Sequence, residues 1–286
     1  MVWINKENQF TIMKKWYMIC AVVALAVAAN AQNTETLSGV FSIDDAGTKV
    51  RFSRGNLQYV QSSDTWQFAE HQYDMLGEAN AAEDALADKI DLFGWSMQGA
   101  SVKWGVSAST DDADYQGDVY AFADWGRNIG DGKTWRTLTV DEWWYILDRH
   151  NEKGSLAGTA RLQIDAKTYV NGLVLLPDNW VAPKGVTFKT GYATENSKQD
   201  YAHHQVISLR EWKKLEAAGA VFLPACGERF GSVVSLVQEM GYYWTADFSE
   251  GHPGYALMFY FQSRTRRSHD RDYSRGNAVR LVSVVQ

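Results

Sequence analysis

The sequence is poor in the residues that cross-link or stiffen a chain, with two cysteines and four prolines among 286 residues. Cys20 lies inside an N-terminal apolar run, so a chain trimmed of that run keeps only Cys226 and cannot close an internal disulfide. Its stability must then come from buried apolar surface. There is no Pro-rich linker, no low-complexity tract and no repeat of fixed period, which excludes a beaded or solenoid organisation. Positive charge is scarce too. Lys and Arg number 28 against 34 Asp and Glu, a formal charge of −6. That balance excludes a general nucleic-acid binder, which needs a basic surface to displace counterions. Nucleophile-elbow, Walker and dinucleotide fingerprints are missing in any context that would support them.

What the sequence does have is aromatic mass. Twelve Trp, fourteen Tyr and twelve Phe, with 45% hydrophobic and 22% charged residues, describe a globular body with loops pinned by aromatic anchors. Residues 13–31 read as an export leader. Lys14 and Lys15 form the basic region, Trp16–Ala29 the apolar region, and Ala29-Asn30-Ala31 a small-residue cleavage site. Met13 is a candidate start, and a retained anchor is the alternative. Outside this run no segment approaches the ~18 apolar residues of a membrane helix. The expected organisation is a leader at 1–31 and one domain at 32–286, which is secreted, periplasmic or on the cell surface. Trimming leaves 25 cationic and 33 anionic side chains, or −8.

Local patterns predict an α+β class. Thr139-Val140-Asp141-Glu142 and Ser208-Leu209-Arg210-Glu211 are capping boxes, in which a hydroxyl and a carboxylate satisfy free N–H groups of a first helical turn. Val140, Trp143, Trp144 and Leu147 follow on one helical face. Trp212, Leu215 and Ala218 do the same before a stop at Gly219. Residues 38–60 alternate and turn as strands around Asp44-Asp45-Ala46-Gly47, and 64–74 suggest another strand. Residues 79–89 suit a short helix or a loop. Almost everything after Gly219 reads as strands and turns, and 278–285 as a buried terminal strand.

Several phrases, in order, resemble secreted bacterial proteins with a C-type lectin fold. They are Val50–Tyr59, Asp124-Trp125-Gly126, Trp135–Thr139 ahead of Glu142-Trp143, and Asn171-Gly172-Leu173 with Leu176-Pro177-Asp178. Phe222–Ala225 before Gly227, Gly241–Thr245 and Val279–Val282 complete the set. The resemblance spans about residues 38–286. It is to the paralogous secreted proteins of gut Bacteroidetes and Fibrobacter. These share their fold with formylglycine-generating (sulfatase-modifying) enzymes and with the variable proteins of diversity-generating retroelements. It implies a twisted antiparallel sheet, two flanking amphipathic helices, closure by N- and C-terminal strands, and ligand binding through long loops. The enzymes of this fold use paired cysteines, which the trimmed chain lacks.

The segment 245–277 is the implied variable, ligand-binding region. Tyr255, Leu257, Phe259 and Phe261 alternate with Ala256, Met258, Tyr260 and Gln262; Leu257 and Phe259 are assigned to the core, Met258 and Tyr260 outward. Ser263–Asn277 carries five Arg, two Asp and no Lys, a charge of +3 in an acidic protein. Arg and Tyr are favoured at binding surfaces. All fifteen of these residues are also reachable by adenine mutagenesis of AAC codons, the signature of retroelement diversification. The expected contact residues are Met258, Tyr260, Arg264, Arg266, Arg267, His269, Asp270, Arg271, Asp272 and Tyr273. The plainer reading is a solvated hairpin whose Arg and Asp neutralise one another.

Weaker patterns remain. Asp111, Asp112 and Asp114 ahead of Gly117 and Asp118 suggest calcium, but lack the oxygen ligand and glutamate of an EF-hand loop. His203-His204 has no ligating partner in sequence. Cys226, in Phe-Leu-Pro-Ala-Cys-Gly, is a buried small side chain or a reactive thiol. The expected function is non-enzymatic recognition of an extracellular protein or glycan, with no cofactor, no nucleic-acid partner and no membrane span after cleavage. The alternatives are a sulfatase-modifying-like enzyme with altered chemistry and a structural adhesin component.

Overall fold

In the computed structural model the described residues are 35–81, 88–96, 122–149, 156–190, 205–247, 255–260, 266–270 and 275–286; at 148–149, 255–258, 260 and 266–270 they are described as backbone only. The expected leader lies outside them, and every described helix and strand belongs to the compact unit Leu37–Gln286. No described helix is long and apolar enough to cross a membrane.

Both capping boxes form. Thr139 and Glu142 open helix α1 (Val140–Trp144), and Ser208 and Glu211 open α2 (Leu209–Ala217). The first box has a second brace. Arg136 grips Glu142 with two bonds of 2.8 and 2.7 Å, while the Thr139 N–H donates to the same carboxylate at 2.8 Å. Helix α1 continues into a π-helical turn at Tyr145–Arg149, burying Trp143 and Leu147 as the spacing required. Helix α2 buries Trp212 and Leu215 and stops at Gly219, whose left-handed φ of +96° suits glycine.

The strands are short. In chain order they are β1 (Phe41–Ser42), β2 (Lys49–Phe52), β3 (Leu57–Val60), β4 (Thr65–Phe68), β5 (Lys89–Ile90), β6 (Ala157–Gln163), β7 (Tyr169–Leu175) and β8 (Gln205–Ser208). After α2 come β9 (Val221–Pro224), β10 (Glu228–Phe230), β11 (Val233–Ser235), β12 (Met240–Trp244), β13 (Tyr255–Tyr260), β14 (Arg266–Asp270) and β15 (Val282–Val284). They form small sheets, ordered β1-β2-β15, β4-β3-β5, β8-β6-β7-β9, β12-β13-β14 and β10-β11. All pairings are antiparallel except β6 with β8. The class is therefore α+β and strand-dominated. It differs from the expected single sheet by being divided. Two of the expected elements are shorter than their patterns suggest. The strand foreseen over 64–74 ends at Phe68, and the terminal strand is confined to Val282–Val284. Of 79–89, residues up to Ala81 belong to a 3-10 turn and 82–87 lie outside the described residues. Ala278–Leu281 is extended but makes only isolated bridges, because it threads between sheets and joins none of them for long.

The N- and C-terminal strands meet, β15 lying against β2 with Val282 opposite Phe52. Three apolar clusters fill the body. One joins Phe41, Phe52, Trp143, Leu147, Tyr243, Phe259 and Val282. A second holds Trp95, Trp125, Trp135, Phe68, Trp244 and Leu281, with Trp125 and Trp244 stacked at 6.5 Å. The third packs Trp212 and Leu215 on Phe222 and Leu162. Strand β12 is sealed on both faces, since Tyr243 enters the first cluster and Trp244 the second.

At Gly241 on β12 a Cβ would sit 2.0 Å from the Phe259 ring, so the close approach of β12 to β13 requires glycine. Gly241→Ala should cost about 1–3 kcal/mol by overpacking and lower Tm by roughly 3–10 °C. Differential scanning calorimetry checks this, and adding Phe259→Leu should recover part of the loss.

Candidate functional site

The site foreseen from sequence is the hairpin β13–β14, and the structure first shows what carries it. Arg280, flanked by Val279 and Leu281, is fully buried and donates to the carbonyls of Ser53 (3.2 Å), Gln72 (3.5 Å) and Phe222. Desolvation of a cation costs several kcal/mol. Burial lowers the Arg280 pKa to about 10, so at neutral pH the charge persists and the carbonyl dipoles must compensate it. The Gln72 side chain extends the same knot. It accepts from the Phe222 N–H (2.8 Å) and donates to the Ala220 carbonyl (3.2 Å) and to Glu216 (2.9 Å).

Beside this knot, Asn56 donates to the Tyr243 hydroxyl (3.2 Å) and to Cys226 Sγ (3.3 Å), and the Tyr243 hydroxyl donates to the Pro224 carbonyl (2.8 Å). Cys226 is buried, and burial, reinforced by the charge of Asp91, pushes its thiol well above the ordinary range. That is the environment of a packed side chain, whereas reactive thiols sit in electropositive, partly exposed places. Asp91 is itself buried. It accepts from the Leu76 N–H (2.9 Å) and from Asn80 (2.7 Å), and burial raises its pKa to about 6.

Both roots of the segment 245–277 are built into this body. On the entering side the Ala246 N–H donates to the Leu138 carbonyl (2.9 Å), and Asp247 accepts from the Val140 N–H at the first turn of α1. On the leaving side Arg275 lies 4.1 Å over the Phe230 ring, Gly276 exchanges two backbone bonds of 2.8 Å with Arg229, and Asn277 exchanges two of 2.9 Å with Phe93. A Cβ at Gly276 would meet Arg229 Cβ at 2.9 Å. Residues 245–247 and 275–277 are thus structural, and the candidate recognition segment narrows to 248–274.

Within it, residues 266–270 form a strand where the sequence suggested a loop. The register pairs Met258 with Arg267, Phe259 with Arg266, Ala256 with His269 and Tyr255 with Asp270. Positions 258, 260, 267 and 269 share one face. Positions 255, 257, 259, 266, 268 and 270 share the other, which is the face of buried Phe259, stacked on Tyr243 at 5.7 Å. By register, six of the ten expected contact residues can be assigned to a face. Met258, Tyr260, Arg267 and His269 are brought together, while Arg266 and Asp270 take register positions on the Phe259 side. In the sequence, alternation could be applied to β13 but not to a segment read as a loop. Arg264, Arg271, Asp272 and Tyr273 lie outside the described residues, as do Asp111, Asp112, Asp114, Asp118, His203 and His204. Among the described residues no cluster of three His, Cys, Asp or Glu could hold a metal ion. The sequence reading missed Arg280; its signal was a cation inside Ala-Val-Arg-Leu-Val.

Two of the sequence phrases noted above are tied into the body by hydrogen bonds of their own. Asp124 accepts from the N–H groups of Gly126 (2.8 Å) and Thr137 (3.0 Å), which ties Asp124-Trp125-Gly126 to the segment leading into α1. Asn171 donates to the Gln238 carbonyl (2.9 Å) and its carbonyl takes the Ala225 N–H (2.8 Å).

Replacing Arg280 by Met keeps the volume and leaves three carbonyls without their donor. Orphaned buried acceptors cost about 1–3 kcal/mol each, so Arg280→Met should destabilise by roughly 3–5 kcal/mol. Urea unfolding followed by Trp fluorescence would show the midpoint fall; an unchanged midpoint would mean the knot contributes nothing.

Comparison of the chain with protein-family models, with curated proteins and with solved structures finds no match.

Proposed function

We propose that the chain is an exported, non-enzymatic binding protein with a C-type lectin fold. It recognises an extracellular protein or glycan through the hairpin β13–β14 and the loops beside it. The observation that carries this reading is the register, which gathers Met258, Tyr260, Arg267 and His269 on one face of a hairpin whose roots are locked. A flexible thioether, an aromatic ring, a planar cation and an imidazole on one face make a recognition set, with Arg suited to bidentate contact with an anionic group. Binding residues on loops and edges of a rigid scaffold are the common arrangement.

The lectin-like assignment is supported by the pairing of β2 with β15, which closes the termini on one another, and by two capped helices beside antiparallel sheets. Burial of Cys226 favours binding over thiol chemistry, because the nucleophile is out of reach and held as a thiol.

Retroelement diversification of the hairpin belongs to the same proposal. It confines variation to 248–274 and leaves Arg275, Gly276 and Asn277 constant. A template repeat near the gene, differing only at adenines and sparing the codons for 275–277, supports it; a gene neighbourhood with neither template nor reverse transcriptase removes it.

Binding is tested on glycan and extracellular-protein arrays. Changing Tyr260, Arg267 and His269 together to Ala should weaken any ligand by about a hundredfold, roughly 2.7 kcal/mol, with Tm unchanged within about 2 °C. Arg266→Ala, on the Phe259 side, should act more on Tm than on affinity. Loss of affinity only in step with loss of Tm would overturn the reading.

A further inference from the structure

Away from the hairpin, a cleft of about 560 Å³ opens on the sheet β4-β3-β5, lined by Arg54, Gln58, Gln67, Glu70, Met75 and Lys89 among others. Small-molecule sites commonly occupy ~300–1,000 Å³. The sheet explains the lining. Leu57, Tyr59, Phe68 and Ile90 face the core, so the alternate positions 58, 60, 65, 67 and 89 form the outer face. The loop 70–76 walls it, and that wall is fixed by the bond from the Leu76 N–H to buried Asp91 (2.9 Å).

The polar groups in the cleft are not consumed by the protein. Gln58 is 4% exposed and sits opposite Gln67, accepting from its amide at 3.2 Å. The Gln58 Nε2 has no acceptor among the described residues, so a nearly buried amide keeps its donors at the floor of the cleft. Arg54 makes one long contact, to the Phe68 carbonyl at 3.5 Å, and its Nε has no acceptor. Neither Arg54, Lys89 nor Glu70 has an ion-pair partner among the described residues, whereas Asp74 is engaged by the N–H (2.8 Å) and the ring (3.2 Å) of His71. The lining carries two cations, Arg54 and Lys89, and two carboxylates, Glu70 and Asp74, of which Asp74 is held by His71. Unsatisfied buried polar groups are costly and call for a partner.

We propose that this cleft is a second ligand site, which takes a small acidic saccharide. Arg54 and Lys89 receive the carboxylate. The Gln58 and Gln67 amides and the Glu70 carboxylate exchange hydrogen bonds with ring hydroxyls. Met75 and Leu76 offer an apolar wall to the C–H face of a sugar ring. The Arg54 guanidinium, whose Nε has no acceptor, selects an acidic ring over a neutral one. The site stands apart from the hairpin and does not depend on the binding role assigned there.

Titration of the full chain by calorimetry tests it, with a glucuronic-acid-containing disaccharide as probe, a neutral disaccharide of the same size as control, and acetate as the charge-only control. The acidic disaccharide should bind at least about tenfold more tightly than either control, a gap of roughly 1.4 kcal/mol. Lys89→Ala and Gln67→Ala, at positions outside the core, should each weaken it about fivefold or more without moving Tm, and Arg54→Gln should weaken it further. The Tyr260/Arg267/His269 triple variant should bind the probe like the wild type, which separates failure of this site from failure of the hairpin. Equal affinity for acidic and neutral disaccharides, retention of affinity in both Lys89→Ala and Gln67→Ala, or no heat at millimolar probe would overturn the proposal.

Discussion

A buried guanidinium organises this protein. Arg280 joins the carbonyls of residues 53, 72 and 222 from a strand at the end of the chain, so four distant segments must arrive together before its charge is compensated. The penalty for an uncompensated cation in the interior is several kcal/mol. That penalty rejects arrangements in which any one segment is misplaced. Cys226 is free, and such a many-partner constraint does part of what covalent links do in disulfide-bonded domains. The aromatic clusters add the bulk stability around it, and neither acts alone: the carbonyls are fixed by sheets whose inner faces those rings fill.

The same construction anchors both roots of the hairpin β13–β14 in the body. Strand β12 is covered on both faces, and residues 245–247 and 275–277 are tied to α1, Arg229 and Phe93. Between these anchors the chain makes β13 and β14, of which β14 has one strand neighbour among the described residues. An edge strand presents alternating positions to two faces. Phe259 shares one face with Tyr243, while Tyr242 and Trp244 of β12 lie on the face of positions 256 and 258, which on the proposed reading continues into a recognition surface at 258, 260, 267 and 269. Cys226 belongs to the anchored body.

How much of this was legible in the sequence depends on the range of each interaction. The two capping boxes could be read because hydroxyl, carboxylate and free N–H groups lie within four residues of one another. The inward position of Phe259 could be read because strand alternation is local. The split of Arg266 and Asp270 from Arg267 and His269 could not, since it depends on which residue of β13 each one opposes. Arg280 was visible as a cation among aliphatic residues, but its acceptors lie 227, 208 and 58 residues away. The cleft was hidden for the same reason. Gln58 and Gln67 look like ordinary polar strand residues until the β3–β4 register sets them opposite one another and the loop 70–76 closes over them.

Native-state hydrogen exchange across a urea series tests most directly whether the body holds together independently of its hairpin. The amides of Ser53, Leu57, Trp244 and Ala278, all bonded within the body, should exchange only through global unfolding and converge on one opening free energy. The amides of β14 should exchange through a smaller opening that leaves those four protected. A single opening shared by β14 and the Arg280 surroundings would contradict the account, because the hairpin would then be part of what folds the protein.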